Sequence, residues 1–183
     1  LEALKYDKED YTIVLVGHRD HAETVGTSGE APGRTIVVET TEEAARVQVP
    51  DPERVAVLTQ TTLSVEDTRD IVDALRARFP AVVVRNDICY ATSNRQMAVK
   101  ALAQEVDVVL VIGARNSSNC NRLREVAEAA GVSAYLVNGP DELTEAQVEG
   151  ARRVGIVSGA STPEELVQAV VAKLSPELVL HRE

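Results

Sequence analysis

Short apolar stretches rich in valine and isoleucine alternate with longer segments of helical periodicity along the whole chain. These stretches are almost continuously apolar, as expected for strands that are covered on both faces in a parallel sheet. The pattern predicts strands at residues 11–16, 35–38, 55–59, 81–84, 108–112, 133–137 and 154–157.

Apolar residues at three- and four-residue spacing between the strands predict amphipathic helices. The clearest stripes are Thr68, Ile71, Val72, Leu75 and Phe79, and Leu166, Val167, Val170, Val171 and Leu174. Alternation of strands and helices predicts an α/β fold with right-handed crossovers.

A weak internal repeat indicates two similar domains. Residues 54–64 and 153–162 both have the pattern of a strand, a hydroxyl-rich loop and a helix start. In the second copy, Thr162, Pro163 and Glu165 match a capping box with proline at the first helical position. We therefore expect two tandem, small three-layer α/β domains with parallel sheets, at residues 1–87 and 88–183.

Composition excludes several classes of partner. The formal net charge is −10 and aromatic residues make up 3%, which argues against nucleic acid and anionic membrane surfaces as partners. No apolar run approaches the roughly 20 residues that a transmembrane helix needs. The chain has two cysteines, Cys89 and Cys120. So few thiols in an acidic chain predict a cytoplasmic protein whose cysteines are free or bind metal.

Four polar loops follow predicted strands, at residues 17–29, 59–64, 116–121 and 158–162. Ligands of parallel sheets bind beyond the carboxyl ends of the strands, near helix N-termini. In the loop at 116–121, serine and asparagine side chains outnumber what one helix cap requires. This surplus predicts a neutral cradle for an anion.

The first loop carries His18, His21 and Glu23, which can titrate, relay protons or bind metal. A polar loop with hydrogen-bonded histidines is the plainer alternative. Zinc binding would need further ligands nearby. In the loop at 59–64, Ser64 is predicted to cap a helix with Asp67 at its third position.

The two cysteines differ in setting. Cys89 lies in a loop directly before a predicted helix, a position that lowers a thiol pKa and suits ligation of a metal or cluster. Cys120 lies among asparagines at a helix start, where a structural or incidental role is expected. Motifs for a serine hydrolase, a phosphate-binding loop or a dinucleotide site are absent from the sequence.

Taken in order, the loops resemble the IspH (LytB) family over about residues 10–174. The motifs are Gly17-His-x-x-His-x-Glu23 with Gly26-Thr27-x-Gly29, Thr59-Gln-Thr-Thr-Leu-Ser64, Ile88-Cys-Tyr-Ala-Thr-x-Asn-Arg-Gln96, Asn116-Ser-Ser-Asn-x-Asn-Arg-Leu123 and Gly159-Ala-Ser161. The resemblance implies an oxidoreductase of isoprene biosynthesis. It would reduce an allylic diphosphate, 4-hydroxy-3-methylbut-2-enyl diphosphate, to isopentenyl and dimethylallyl diphosphates.

The resemblance also implies a [4Fe–4S] cluster on three cysteines and electrons from a ferredoxin or flavodoxin. By the family pattern Cys89 is a cluster ligand, Glu23 is the proton donor and Thr61 belongs to the same hydrogen-bond relay. The residues implied to hold the diphosphate are His21, Ser117, Ser118, Asn119 and Ser161.

The family's other two cluster cysteines and two further histidines lie in an N-terminal domain that has no counterpart in this sequence. The resemblance therefore implies the second and third of three domains, with the end of a first-domain helix at the start, and a fragment that is inactive alone. One alternative is a non-catalytic α/β module that binds a diphosphate and has lost the cluster. Another is a hydrolase or zinc enzyme built on His18, His21 and Glu23.

Overall fold

The computed structural model describes residues 2–85, 90–175 and 179–180. The chain divides into two compact units, Leu1–Cys89 and Tyr90–Glu183. Both are built from parallel sheets covered by helices, which confirms the predicted α/β class. In the part of the chain that the structure describes, no helix is long and apolar enough to cross a membrane.

The described part of the first unit is built on a four-stranded parallel sheet with strand order β2-β1-β3-β4. Its elements are α1 (Glu2–Lys8), β1 (Thr12–Val16), α2 (Ala22–Glu30), β2 (Thr35–Val38), α3 (Thr41–Arg46), β3 (Val55–Thr59), α4 (Val65–Arg78) and β4 (Val83–Val84). The central strands β1 and β3 are buried along their whole length. Their carboxyl ends lie side by side, because Val16 is in register with Thr59.

Both faces of this sheet are covered, which explains the continuous apolar character of its strands. Val14 and Val57 pack on one face against Leu75 of α4. On the other face, Leu15 packs in a cluster with Tyr6 of α1. The stripe predicted for α4 is confirmed, since its five members are buried: Thr68, Ile71, Val72, Leu75 and Phe79.

The described part of the second unit holds a three-stranded parallel sheet with strand order β6-β5-β7. Its elements are α5 (Tyr90–Ala103), β5 (Val108–Ile112), α6 (Ser118–Ala129), β6 (Ser133–Val137), β7 (Val154–Ser158) and α7 (Glu164–Leu174), with 3-10 turns at Pro140–Glu142 and Glu145–Gln147. Val109 and Val111 pack with Leu123 of α6 on one face. Leu110 packs with Val170 of α7 on the other.

The internal repeat extends further than the sequence indicates. In each unit the first strand of the sheet is central, the second lies on one side and the third on the other. A helix precedes the first strand in both units, α1 before β1 and α5 before β5. The predicted strands agree closely with those observed, except that β4 spans only Val83–Val84 and β7 extends to Ser158. The assignment of residues 1–87 and 88–183 to particular family domains stays a prediction.

The capping box predicted at Thr162 is wrong. Helix α7 begins at Glu164, and its N-cap Pro163 makes no side-chain capping bond. The Thr162 hydroxyl instead donates to the carbonyl oxygen of Ile112 at 2.9 Å. That carbonyl ends strand β5, so a long-range partner takes the hydroxyl that the local pattern assigned to the helix.

Candidate active site

The polar loops predicted from the sequence lie at the point in each sheet where the strand order reverses. In the first unit, the chain leaves β1 toward β2 on one side, while β3 lies on the other. The loops that follow β1 and β3 therefore diverge, which is the usual ligand position in open parallel sheets. The loops after β5 and β7 have the same relation in the second unit.

Glu23 and Thr61 meet at the reversal point of the first unit. The Thr61 backbone N–H donates to both Glu23 carboxylate oxygens, at 3.1 and 3.2 Å. The Thr61 hydroxyl donates to Oε2 of the same carboxylate at 2.9 Å. Both residues are half-buried. The structure thus brings together the two residues that the sequence predicts to share a proton relay, and their role stays a prediction.

His21 caps helix α2. Its Nδ1 accepts a hydrogen bond from the Glu23 backbone N–H at 3.3 Å, so the imidazole fixes the helical turn that carries the carboxylate. This bond leaves Nε2 as the ring nitrogen that can contact a ligand.

His18 has a different setting from His21. Its Nδ1 lies 3.8 Å from a carboxylate oxygen of Glu39. Arg19 donates to Glu39 and also to Glu43, so this part of the loop is held by exposed ion pairs. The Arg19 guanidinium, followed by the backbone N–H of Glu39, lowers the pKa of Glu43.

The zinc alternative finds no support in this geometry. Across residues 2–85, 90–175 and 179–180, no three histidine, cysteine, aspartate or glutamate side chains converge as a metal site.

The sequence does not reveal the part that Gln60 takes in this site. Gln60 follows strand β3 and is only 1% exposed. Its side chain accepts from the His18 N–H in the loop after β1 and donates to the Thr62 hydroxyl in the loop after β3. A long amide directly after a fully buried strand is the signal that marks it, but the sequence gives it no partner.

An open cavity of about 660 Å³ adjoins the Glu23–Thr61 pair. Leu15 and Leu58 contribute an apolar part of its lining, and Gln60 lies beside them. A space of this size accommodates a small organic molecule. Glu23 and Thr61 both line this cavity.

In the second unit, Ser117 and Asn119 start helix α6. The Ser117 hydroxyl oxygen accepts the Cys120 backbone N–H at 3.3 Å, which makes Ser117 the N-cap. Ser118 follows as the first helical residue and is half-buried. The side-chain oxygen of Asn119 is buried without a hydrogen-bond partner among the described residues. The Asn119 amide nitrogen would lie 4.0 Å from a Cβ added at Gly159, so it is close to the loop after β7.

Cys120 joins the two loops of this unit through close packing. It is a free thiol, 2% exposed, at the start of α6. A Cβ at Gly159 would lie 2.5 Å from the Cys120 sulfur, and a Cβ at Gly113 would also overlap it. Glycine is therefore required at both positions for the backbone to approach the sulfur. The contact places the helix start beside the loop that carries Ser161, whose side chain is exposed.

Cys89, the predicted cluster ligand, lies outside the described residues. The other predicted site residues fall in two groups. His21, Glu23 and Thr61 lie together in the first unit. Ser117, Ser118, Asn119 and Ser161 lie on the two loops at the reversal point of the second unit.

These features define a class, a tandem parallel α/β protein with polar loops at the reversal point of each sheet. A family model described as LytB protein matches residues 1–175. The chain belongs to the LytB family.

Named relatives agree with this assignment. The chain is 51% identical over 176 residues to 4-hydroxy-3-methylbut-2-enyl diphosphate reductase 2 of Burkholderia mallei, which covers 95% of this chain and 54% of that protein. It is 51% identical over 177 residues to a reductase of the same name from Streptomyces avermitilis, covering 95% and 52% of the two chains. The chain thus spans about half the length of these curated relatives.

A solved structure of a similar reductase supports the same family assignment. The E-1-hydroxy-2-methyl-but-2-enyl-4-diphosphate reductase of Plasmodium falciparum superimposes with a TM-score of 0.90 at 33% identity. The match covers 96% of this chain and 56% of that one.

Proposed function

We propose that this chain is part of a reductase that converts 4-hydroxy-3-methylbut-2-enyl diphosphate to isopentenyl and dimethylallyl diphosphates. In the overall reaction two electrons and two protons enter, the bond between carbon and the hydroxyl oxygen breaks, and water leaves. The Glu23–Thr61 pair carries the proposal, because a leaving hydroxyl needs a proton donor. The names of the relatives support the substrate.

Glu23 is the proposed donor of that proton. A protonated Glu23 carboxyl passes its proton to the leaving hydroxyl oxygen, which departs as water. The Thr61 hydroxyl bonds to the resulting carboxylate and, as both a donor and an acceptor, can help to return a proton from solvent. His21 orients the donor by capping the helix turn that carries it.

Neutral donors form the proposed diphosphate cradle. The Ser117 oxygen accepts the Cys120 N–H, so the hydroxyl hydrogen stays available for a phosphate oxygen. The amide nitrogen of Asn119 and the hydroxyls of Ser118 and Ser161 add donors next to the positive end of helix α6. In the first unit, His21 stays a predicted diphosphate ligand, with Nε2 as the ring nitrogen that could donate to it. Such a cradle needs no basic patch, in keeping with a net charge of −10.

The [4Fe–4S] cluster implied by the family does not fit the described residues. Their one cysteine, Cys120, is 2% exposed and its sulfur is packed against glycine backbone, so it is not available as a ligand. Cys89 stays the proposed ligand in this chain. A ferredoxin or flavodoxin as electron donor and a cytoplasmic location also stay predictions.

A second candidate is a non-catalytic module that binds the diphosphate. Turnover separates the two candidates, because a module binds the diphosphate without reducing it.

The experiment uses the complete reductase that contains this chain, assayed anaerobically with a reduced artificial electron donor. Asn119→Ala and Ser161→Ala should each raise KM about tenfold or more, because each removes a hydrogen bond to a charged group. Ser133→Ala is the matched control, since Ser133 is an exposed serine at the opposite end of the second sheet. An unchanged KM in both test variants would remove these residues from the site.

A further inference from the structure

The Gln60 side chain connects three segments of the first unit. Its Oε1 accepts the His18 backbone N–H at 3.0 Å and the Thr24 hydroxyl at 3.2 Å. Its Nε2 donates to the Thr62 hydroxyl oxygen at 2.9 Å. The amide thereby bonds to the loop after β1, to helix α2 and to the loop after β3.

These partners flank the proposed proton relay. Thr24 follows Glu23 in α2, and Thr61 lies between Gln60 and Thr62. The Gln60 backbone N–H donates to the Val16 carbonyl oxygen at 2.8 Å, which ties the residue to the end of strand β1. The Gln60 side chain thus bonds to the segment that carries the Glu23 carboxylate and to the segment that carries the Thr61 hydroxyl.

The amide has little room to move. A Cβ at Gly17 would lie 2.6 Å from the Thr24 hydroxyl oxygen and 3.1 Å from both Cβ and Oε1 of Gln60. Only glycine allows the end of β1 to approach this closely. At 1% exposure, Gln60 presents almost no surface to solvent, so the loss of a side-chain partner is costly.

We propose that Gln60 is a positioning residue that holds the Glu23 carboxylate against Thr61. The proposal rests on the proposed function, because it assigns Gln60 to the relay of that same site. An amide suits the position because it offers an acceptor for two donors and a donor for Thr62. A methionine of similar size would leave the His18 N–H and the Thr24 hydroxyl without an acceptor.

The first test is turnover by the complete reductase under anaerobic conditions. Gln60→Met should lower kcat about 10- to 100-fold, because displacing the Glu23 carboxylate by about an ångström is costly for proton transfer. The KM should stay within twofold of the parent, because the diphosphate donors are unchanged. Thr68→Val is the matched control. Thr68 is also a buried polar residue of this unit, and its hydroxyl has no hydrogen-bond partner among the described residues. Its kcat should be that of the parent.

Gln60→Glu separates positioning from packing. A protonated glutamic acid can accept through its carbonyl oxygen and donate through its hydroxyl, as the amide does through Oε1 and Nε2, whereas the ionised form loses the donor. The ratio of its kcat to that of the parent should therefore approach one at low pH and fall as pH rises. Glu23, His18 and His21 on the neighbouring segments can also titrate. They are present in both the parent and Gln60→Glu, so the ratio of the two kcat values isolates the effect of residue 60. A ratio that does not change with pH would overturn the proposal.

Amide exchange tests the same proposal without turnover. In Gln60→Met, the Thr61 and His18 N–H groups should exchange at least about tenfold faster than in the parent, because both lose an ordered partner. Thr68→Val should leave both rates unchanged. Parental exchange in Gln60→Met would overturn the proposal. A parent without reductase activity would instead refute the proposed function, and the exchange rates would still decide the role of Gln60.

Discussion

Ser117 combines two roles in one side chain. Its oxygen accepts the Cys120 N–H and so caps helix α6. Its hydroxyl hydrogen is proposed to bind a phosphate oxygen. The two roles are compatible, because a hydroxyl accepts and donates at the same time. They also have separate consequences, since capping stabilises the free protein and phosphate binding does not.

Ser117→Ala should therefore lower the free energy of unfolding by about 1 kcal/mol, the usual contribution of a helix cap. Ser161→Ala should leave it unchanged, because that side chain is exposed. Urea unfolding of the chain, followed by circular dichroism, measures both values. Equal stability of the two variants would contradict the capping role of Ser117.

Single residues of the site differ in how far the sequence reveals them. Ser64 is a local case, because its predicted bond to the Asp67 N–H is observed at 3.2 Å. The Glu23–Thr61 contact spans 38 positions, and only the family resemblance linked the two residues. The sequence does not assign partners to Gln60, because they lie at both short and long range and no local rule predicts such bonds.

Among the elements, the loops after β5 and β7 are joined by packing rather than by charge. The Cys120 sulfur occupies the space that a Cβ at Gly113 or Gly159 would need. The Thr162 hydroxyl and the Gly159 N–H both donate to the Ile112 carbonyl at the end of β5. The start of helix α6 and the loop before α7 are thereby held together.

Gly159→Ala should destabilise the chain by about 1–3 kcal/mol, the usual cost of overpacking a filled site. Cys120→Ala removes the overlapping sulfur, so the double variant should recover part of that loss. Gly26→Ala is the control, because nothing lies within 4 Å of its added Cβ. Within helix α2, that change should instead stabilise by about 0.5–1 kcal/mol. Additive effects of Gly159→Ala and Cys120→Ala in urea unfolding would contradict the proposed contact.

The elements were the most predictable part of the fold. Strands with continuous valine and isoleucine, such as β5, are specified by burial on both faces and match the prediction residue for residue. Strand β4 is shorter than predicted, and the loop before α7 uses Thr162 for a carbonyl in another strand. Both differences arise from pairing partners that are distant in sequence.

At the scale of the whole molecule, the two units share the arrangement of their first three strands and carry different side chains at the reversal point. The first presents a carboxylate and a hydroxyl at its reversal point, and the second presents hydroxyls and amides. The short repeat at 54–64 and 153–162 indicates this shared arrangement, because both segments contain the third strand of their sheet and the loop that follows it.

The chain itself should not hold a complete [4Fe–4S] cluster. The family pattern requires three thiolates, whereas the chain has two cysteines and Cys120 is buried against glycine backbone. Anaerobic reconstitution with iron and sulfide, followed by desalting and analysis of both elements, measures this. Cys120→Ala should bind as much iron as the parent. A full complement of iron and sulfide that survives desalting would contradict the prediction.

The role of Glu23 is tested by steady-state turnover of the complete reductase, comparing the parent with Glu23→Gln and a reduced artificial electron donor. The amide keeps the size of the side chain but cannot supply the proton. The kcat should therefore fall by roughly 10²–10⁴, the usual contribution of a general acid, with little change in KM because the diphosphate cradle is intact. A Glu23→Gln variant with near-parental kcat would contradict the assignment of the proton donor.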